Sequence, residues 1–118
     1  TLTLSIKPLV AQVREVLVNE LHSGKPSVDQ MAVRFEMLQR TFQRRLTEAG
    51  WSYRDLIDDT RKGLAKVYVG EGQYTSEEIT QMLGFAECSA FTRAFKRWFQ
   101  QTPTQYRRAY RMDLKAIA

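Results

Sequence analysis

Arginine and glutamine side chains recur at three- and four-residue spacing in one short segment, and a serine precedes an arginine by four residues in another. Arg40, Gln43 and Arg44 form the first set, and Ser89 and Arg93 form the second. Arginine can donate two hydrogen bonds to O6 and N7 of guanine, and glutamine can pair with N6 and N7 of adenine. Residues three and four apart share one face of a helix. The spacing therefore indicates helix faces suited to contacting nucleic-acid bases.

The elements that would position these side chains are predicted to be helices. Apolar residues recur every three or four positions, and no stretch alternates with period two. Ser27 with Gln30, and Thr75 with Glu78, have the spacing of capping boxes. We expect an all-α fold, with helices at about residues 8–23, 28–35, 38–49, 52–69, 76–83, 89–100 and 103–112.

A short helix, a tight turn and a longer basic helix occur twice in the sequence. Phe42 corresponds to Phe91, and Leu46 to Phe95, at an offset of 49 residues, whereas the helices before them align at an offset of 48. The second copy is therefore expected to have one extra residue in its turn. Two short helices joined by a tight turn are typical of the helix-turn-helix, whose second helix enters the DNA major groove. The pattern alone leaves open an ordinary helical hairpin with a solvated basic face.

Successive residues of an α-helix are rotated by about 100°, and this rotation predicts which side chains of the third helix face away from the core. Leu38, Phe42 and Leu46 are expected to be buried. The opposite face and its flanks would carry Arg40, Gln43, Arg44, Thr47 and Gln39. Arg45 falls nearer the core edge, where a phosphate-contacting role and a packing role both stay open.

The same rotation separates an aromatic face from a polar face in the sixth helix. The buried side chains are expected to be Phe91, Phe95, Trp98 and Phe99. The opposite face would carry Ser89, Ala90, Arg93, Arg97 and Lys96. In the last helix, Tyr106 and Tyr110 are expected to point inward.

The charge is distributed unevenly along the 118 residues. Residues 1–60 carry eight basic and eight acidic side chains, so the net charge of +5 lies in residues 61–118. No acidic residue occurs from Ser89 to Arg111, and a helix face without acids can approach an anionic groove. The side chains expected to contact phosphates are Gln39, Thr47, Arg45, Lys96, Arg97, Arg107, Arg108 and Arg111.

The second repeat resembles the signature of the AraC/XylS family of bacterial transcription regulators. In that family a Gly-Phe turn precedes Ser-x-Phe-x-Arg-x-Phe-Lys, which is followed by a proline and Tyr-Arg. The matching residues are Gly84, Phe85, Ser89, Phe91, Arg93, Phe95, Lys96, Pro103, Tyr106 and Arg107. The first repeat is similar to the family over residues 39–46 and at Gly50, and the resemblance covers about residues 7–108.

The resemblance implies a homeodomain-like fold of seven helices in two helix-turn-helix subdomains. The subdomains would occupy residues 1–51 and 70–118, joined by a long linker helix at 52–69. It also implies two recognition helices in adjacent major-groove segments on one face of double-stranded DNA. The base-contacting positions carried over from the family are Arg40, Gln43, Arg44, Cys88, Ser89, Ala90 and Arg93. Helical geometry alone does not select Cys88.

The sequence departs from the family pattern at three positions, and its two recognition helices differ in the length of their exposed side chains. Leu38 stands where the family commonly has a small polar residue, Thr80 where it has alanine, and Gln100 or Gln101 where it has glycine. The third helix offers long side chains to the bases, whereas the sixth offers Ser89 and Ala90. We therefore expect the sixth helix to contribute more to affinity than to discrimination between sequences.

Other functional classes find little support in the sequence. One cysteine and one histidine exclude a disulfide and a Cys/His zinc site within the chain, so no metal or cofactor is expected. Asp58 and Asp59 are neighbours whose side chains diverge on a helix, and no glycine-rich phosphate loop or Ser/His/Asp set occurs, so no enzyme is expected. No apolar run is long enough for a membrane span. We expect a monomeric domain in the bacterial cytoplasm.

An alternative interpretation treats the basic stretch at residues 89–111 as a docking surface. In that case the domain would be a helical protein-interaction module that binds an acidic partner, such as RNA polymerase. Both activities could occur in one protein, since activators of the AraC/XylS family also contact polymerase. Titration against random and selected duplex DNA discriminates between the two interpretations.

Overall fold

The computed structural model describes residues 7–117, and the side chains through residue 111. This part of the chain contains seven α-helices, a 3₁₀ turn at Leu21–Ser23 and no strand, which confirms the predicted all-α fold. The α-helices are α1 (Leu9–Glu20), α2 (Val28–Arg34), α3 (Gln39–Glu48), α4 (Tyr53–Glu71), α5 (Ser76–Met82), α6 (Cys88–Phe99) and α7 (Pro103–Ile117).

The described residues form two compact units that share the long helix α4. Unit 1 comprises residues 7–21 and 25–60, and unit 2 comprises residues 22–24 and 61–117. Each unit therefore contains one of the two repeats and a part of α4. The predicted division is different: two helix-turn-helix subdomains at 1–51 and 70–118, with a linker helix at 52–69. It stays a prediction.

Unit 1 has a small aliphatic core to which α3 contributes its single aromatic residue. Phe42 is fully buried; its ring stacks on Phe35 at 6.3 Å and meets Tyr53 edge-on at 5.9 Å. The phenol of Tyr53 donates to the backbone carbonyl of Pro26 at 2.8 Å. Burial, and secondarily the charge of Glu20, raise the pKa of Tyr53 to about 12. These contacts hold the buried face of α3 in place.

Unit 2 has a core rich in aromatic residues, half of them on α6. Phe91 and Phe95 are fully buried and meet at 5.9 Å, and Phe95 also contacts Phe99 at 4.7 Å and Tyr106 at 5.4 Å. Aromatic pairs at such separations are stabilising beyond the area that they bury. The aromatic side chains at positions 91, 95, 98 and 99 therefore form the buried side of α6, although Phe99 is only partly buried.

The two short helices begin with the predicted capping boxes. The Ser27 hydroxyl accepts from the Gln30 amide N–H, and the Gln30 side chain accepts from the Ser27 N–H. Thr75 and Glu78 exchange the same two hydrogen bonds at the start of α5. Each box satisfies two backbone donors that a helix N-terminus would otherwise leave without partners.

The same short helices end in the same backbone motif but with different residues. The N–H of Glu36 donates to Val33 and that of Met37 to Ala32, and the corresponding pairs in the second copy are Gly84 to Gln81 and Phe85 to Thr80. The residue after each C-cap is left-handed, with φ of 57° at Glu36 and 76° at Gly84. Both turns are therefore Schellman motifs, which favour glycine at this position.

The turn lengths agree with the predicted offset of the repeat. Four residues separate α2 from α3, and five separate α5 from α6. The additional residue lies between the Schellman motif and α6, because the motifs themselves align at an offset of 48. The left-handed Gln100 (φ 59°) ends α6, where the family commonly has a glycine.

Two predicted core positions are wrong. Leu38 is 78% exposed, because it is the N-cap of α3 and its extended backbone (φ −68°, ψ 148°) does not follow the helical rotation. Tyr110 is 42% exposed; its ring lies over Gly70 at the surface of unit 2 instead of entering the core. The helix limits also differ, since α4 extends through Glu71 into the predicted loop, and α7 extends beyond residue 112 to Ile117.

Thr80 shows how the first helix of unit 2 accommodates a departure from the family. It is 5% exposed, and its hydroxyl donates to the Ser76 carbonyl at 2.7 Å. A buried hydroxyl is costly only when it lacks a hydrogen bond. The threonine therefore fits where the family commonly has alanine. None of the helices that the structure describes is long and apolar enough to cross a membrane.

Candidate nucleic-acid interface

The exposed face of α3 carries the three base-contacting side chains predicted in unit 1. Phe42 and Leu46 are fully buried, whereas Arg40, Gln43 and Arg44 are all exposed. The three polar residues lie within slightly more than one helical turn, at i, i+3 and i+4. α3 therefore presents two guanidinium groups and one carboxamide on a single exposed strip.

The flanks of this strip differ in what their side chains contact. The Thr47 hydroxyl donates to the Gln43 carbonyl at 2.9 Å, so Thr47 contacts the helix itself. The Arg45 guanidinium approaches the Met37 sulfur at 4.0 Å, beside the turn before α3. Gln39 is exposed at the first position of the helix. A phosphate-contacting role for these three residues stays a prediction.

The exposed face of α6 carries shorter side chains. Ser89 and Arg93 are exposed, and Cys88 and Ala90 are partly exposed. Cys88 is the first residue of α6, so the structure places it beside the other three at the N-terminal end of the helix. The structure thus gathers the four predicted base-contacting residues of unit 2, of which only Arg93 is long.

Glu87 lies on the same face and was not identified from the sequence. It is the N-cap of α6, yet its side chain makes no capping hydrogen bond to the helix backbone. Its Oε1 instead accepts from the Ser89 hydroxyl at 2.9 Å and lies 4.0 Å from Nη2 of Arg93. The helix predicted from the sequence begins at Ser89, one residue later than α6, which leaves Glu87 in the predicted turn and outside the acid-free stretch at residues 89–111. The available signal was a glutamate two residues before the serine of the Ser-x-x-x-Arg pattern.

Arg107 is positioned within unit 2 by backbone carbonyls. Its Nε donates to Val69 at 3.3 Å and its Nη2 to Tyr74 at 3.0 Å, and the side chain is partly buried. These two contacts connect α7 to the end of α4 and the segment before α5. The arrangement favours a structural role for Arg107, and its predicted phosphate contact stays a prediction.

Arg61 is a second structural arginine that the sequence did not indicate. Its Nε donates to the Leu83 carbonyl and its Nη2 to the Gly84 carbonyl, both at 2.8 Å. Its guanidinium also lies 4.2 Å from the centre of the Phe85 ring, within cation–π range. Arg61 therefore supports the turn that precedes α6.

Three other basic side chains predicted to contact phosphates are exposed in unit 2, namely Lys96, Arg97 and Arg108. Arg111, also expected there, is exposed as well. The Arg97 guanidinium lies 5.8 Å from the centre of the Trp98 ring. A long basic side chain at the surface can reach a phosphate oxygen without specifying a sequence. The position of these groups is compatible with that role.

The described residues give no support for a metal site or for a pair of catalytic carboxylates. No group of three or more histidine, cysteine, aspartate or glutamate side chains there could hold a metal ion. Asp59 forms an ion pair with Arg14 at 2.7 Å, and Arg14 also lies 4.7 Å from the centre of the Trp51 ring. Asp59 is thus paired with a basic side chain of unit 1.

A family model described as a helix-turn-helix domain matches residues 31–109 of this sequence. The match begins within α2 and contains the rest of the first repeat, the helix α4 and the whole second repeat. The chain belongs to the AraC/XylS family. The seven α-helices of residues 7–117 and their paired helix-turn-helix units are the fold that the resemblance implied.

Relatives in this family are transcriptional regulators by name. The chain is 38% identical over 87 residues to the HTH-type transcriptional regulator VirS of Mycobacterium tuberculosis, covering 74% of this chain and 26% of that protein. It is 35% identical over 101 residues to the ornithine utilization regulator of Pseudomonas aeruginosa, covering 86% of this chain and 30% of that protein. The chain therefore spans less than a third of the length of these relatives.

A solved structure of a related domain includes DNA. The DNA-binding domain of AdpA, a global transcriptional factor, in complex with a target DNA, superimposes with a TM-score of 0.77 at 28% identity. The similarity covers 92% of this chain and 96% of that one. This AraC/XylS chain thus shares its fold with a domain whose structure was solved on DNA.

Proposed function

We propose that this chain binds double-stranded DNA sequence-specifically through α3 and α6 and thereby regulates bacterial transcription. The single observation that carries the proposal is the exposed strip of Arg40, Gln43 and Arg44 on α3, opposite the buried Phe42. Arginine and glutamine are suited to bidentate contacts with guanine and adenine. Membership in the AraC/XylS family supports the same function.

Each recognition helix is proposed to enter one of two adjacent major-groove segments. The subdomains at residues 1–51 and 70–118 would each supply one helix, and the helix at 52–69 would link them. Successive major-groove segments on one DNA face are about one helical turn apart, or about 10–10.5 base pairs. The site is accordingly expected to span roughly 15–20 base pairs.

The contacts divide into base recognition and phosphate binding. Base recognition is assigned to Arg40, Gln43, Arg44, Cys88, Ser89, Ala90 and Arg93. Phosphate binding is assigned to the exposed flanking residues Gln39, Arg45, Lys96, Arg97 and Arg108, with Thr47 and Arg107 as further candidates. Phosphate contacts fix the position of the helices on the duplex, whereas base contacts discriminate between sequences.

Selection of binding sites from a randomised duplex pool tests the proposal. The selected duplex should bind much more tightly than an unrelated duplex of equal length when both are titrated at one fixed salt concentration. Specific binding by such domains usually exceeds nonspecific binding by at least about 10³-fold at physiological salt. Weak, unselective and salt-sensitive binding would instead favour a module that docks on an acidic partner such as RNA polymerase.

A further inference from the structure

The N-terminal end of α6 holds a carboxylate where the surface would meet DNA. Glu87 is 65% exposed, and its Oε1 is within hydrogen-bond distance of Ser89 and 4.0 Å from the guanidinium of Arg93. Both partners belong to the proposed base-contacting set. The carboxylate therefore lies among the base-contacting side chains and not on a remote surface.

Stability alone does not account for the position of this side chain. Ion pairs between exposed groups contribute little to folding, and the Arg93 side chain is 70% exposed. An N-cap residue usually accepts from a backbone N–H of the first turn, and the Glu87 side chain does not. The carboxylate extends instead along the exposed face, toward Ser89 and Arg93.

The Ser89 hydroxyl donates to Oε1 of Glu87, and a carboxylate can accept several more hydrogen bonds. At a DNA surface it needs a further donor, because the phosphates around it are also negative. In the major groove the base edges offer few donors, which are the amino groups at N4 of cytosine and N6 of adenine. Guanine and thymine present carbonyl oxygens at the equivalent edge, and these would repel the carboxylate. Glutamate paired with cytosine N4 is the established match for this geometry.

We propose that Glu87 is a specificity-determining residue that accepts a hydrogen bond from cytosine N4 in the half-site contacted by α6. The proposal rests on the proposed DNA-binding function. Arg93, beside it, would contact a guanine of the same or a neighbouring base pair. α6 then discriminates partly by exclusion, because a carbonyl-bearing base in place of the cytosine faces the carboxylate.

The experiment begins with the DNA sequence that the unaltered chain selects from a randomised pool. Every position of the α6 half-site is then changed singly, and binding is measured for the unaltered chain, for Glu87→Gln and for Glu71→Gln. Glu71 is exposed at the end of α4, so its variant removes the same charge away from α6. Thermal unfolding of each variant verifies that the fold is retained.

The unaltered chain and the Glu71 variant should prefer cytosine over thymine at one position by about tenfold or more, in line with the energy of a matched base contact. Glu87→Gln should reduce that preference to about twofold or less and bind unrelated duplexes a few-fold more tightly, while a guanine preference remains. Unchanged base preferences in Glu87→Gln would overturn the proposal. So would loss of the guanine preference alone, which would make Glu87 a positioning residue for Arg93. If the unaltered chain selected no sequence, the proposed function itself would fail.

Discussion

The two helix-turn-helix units share a backbone pattern but present different chemistry to solvent. α3 exposes Arg40, Gln43 and Arg44, three long side chains that can reach base edges. α6 exposes the shorter Ser89 together with Arg93, and Glu87 lies beside them. The comparison indicates that a duplicated scaffold can divide its tasks. In our account unit 1 carries most of the sequence discrimination. Unit 2 contributes mainly phosphate affinity, together with the base contacts proposed for Glu87 and Arg93.

The cores of the two units differ as well. α3 buries one aromatic residue, Phe42, whereas α6 buries Phe91, Phe95 and Trp98. The position of the aromatic anchor is nevertheless common to both, because Phe42 and Phe91 are equivalent in the repeat. Truncation of each of these two side chains should have the largest effect on stability, and it tests the contribution of each core separately.

Phe42→Ala and Phe91→Ala should each lower the free energy of unfolding by about 3–5 kcal/mol, because each leaves a cavity at a fully buried site. Denaturant titration followed by circular dichroism measures the change. Val33→Ala, at a position that is 66% exposed on α2, serves as the control and should have little effect. A loss below about 1 kcal/mol for either phenylalanine would contradict its assignment as an anchor.

Arg44→Ala should weaken binding to the selected duplex by about 1–3 kcal/mol and relax discrimination at one base pair. Arg108→Ala, at an exposed position on α7, should weaken binding to all duplexes alike and reduce the dependence of affinity on salt. Fluorescence anisotropy over a range of salt concentrations distinguishes the two effects. Unchanged affinity of Arg44→Ala for the selected duplex would reject base contact at that position.

Tyr53→Phe should destabilise the chain by about 1 kcal/mol, because it removes the hydrogen bond to Pro26. It should also change the dependence of stability on pH. The folded protein keeps this phenol protonated to about pH 12, whereas an unfolded tyrosine ionises near pH 10. The unfolded state therefore binds fewer protons in this interval, and stability falls from pH 10 to pH 12.

The phenylalanine variant should lose part of that decline. Burial, and secondarily Tyr110, also raise the pKa of Tyr106, so some decline will remain. Urea titrations at pH 8, 10 and 11 provide the comparison. An equal decline in both proteins would show that Tyr53 does not couple folding to proton binding.

Glu36→Gly should stabilise the chain by about 0.5–1 kcal/mol, the smallest of these effects. Glu36 has a φ of 57° where the equivalent residue of unit 2 is Gly84, and a left-handed backbone is unfavourable for a residue with a side chain. The reverse change, Gly84→Ala, should be destabilising by about 1–2 kcal/mol. Thermal unfolding measures both variants. Equal signs for the two changes would contradict the equivalence of the turns.

Local signals in the sequence predicted much of this fold. The capping boxes at Ser27 and Thr75 depend on residues only three positions apart, so the sequence predicts them. Both are present in the structure. The burial of Phe42 and Phe91 follows from helical spacing in the same way. The predicted burial of Leu38 is wrong because helical spacing does not apply at an N-cap, where the backbone is extended.

The features that the sequence did not reveal depend on side chains meeting outside the helical pattern. Arg61 and Arg107 contact carbonyls more than 20 residues away along the chain, and no local rule specifies such partners. Glu87 reaches the face of α6 from a position before the helix begins. The exposed faces of α3 and α6 could be predicted from the sequence, whereas the acid on α6 required the structure.

Single base-pair substitution across the selected duplex tests the central claim most directly. Affinity should fall at two clusters of positions about one helical turn apart, with more intolerant positions in the cluster contacted by α3 than in the one contacted by α6. Arg44→Ala should abolish sensitivity at one position of the first cluster only. Two clusters of equal intolerance would contradict the division of tasks between the units, and uniform tolerance across the duplex would contradict sequence-specific binding.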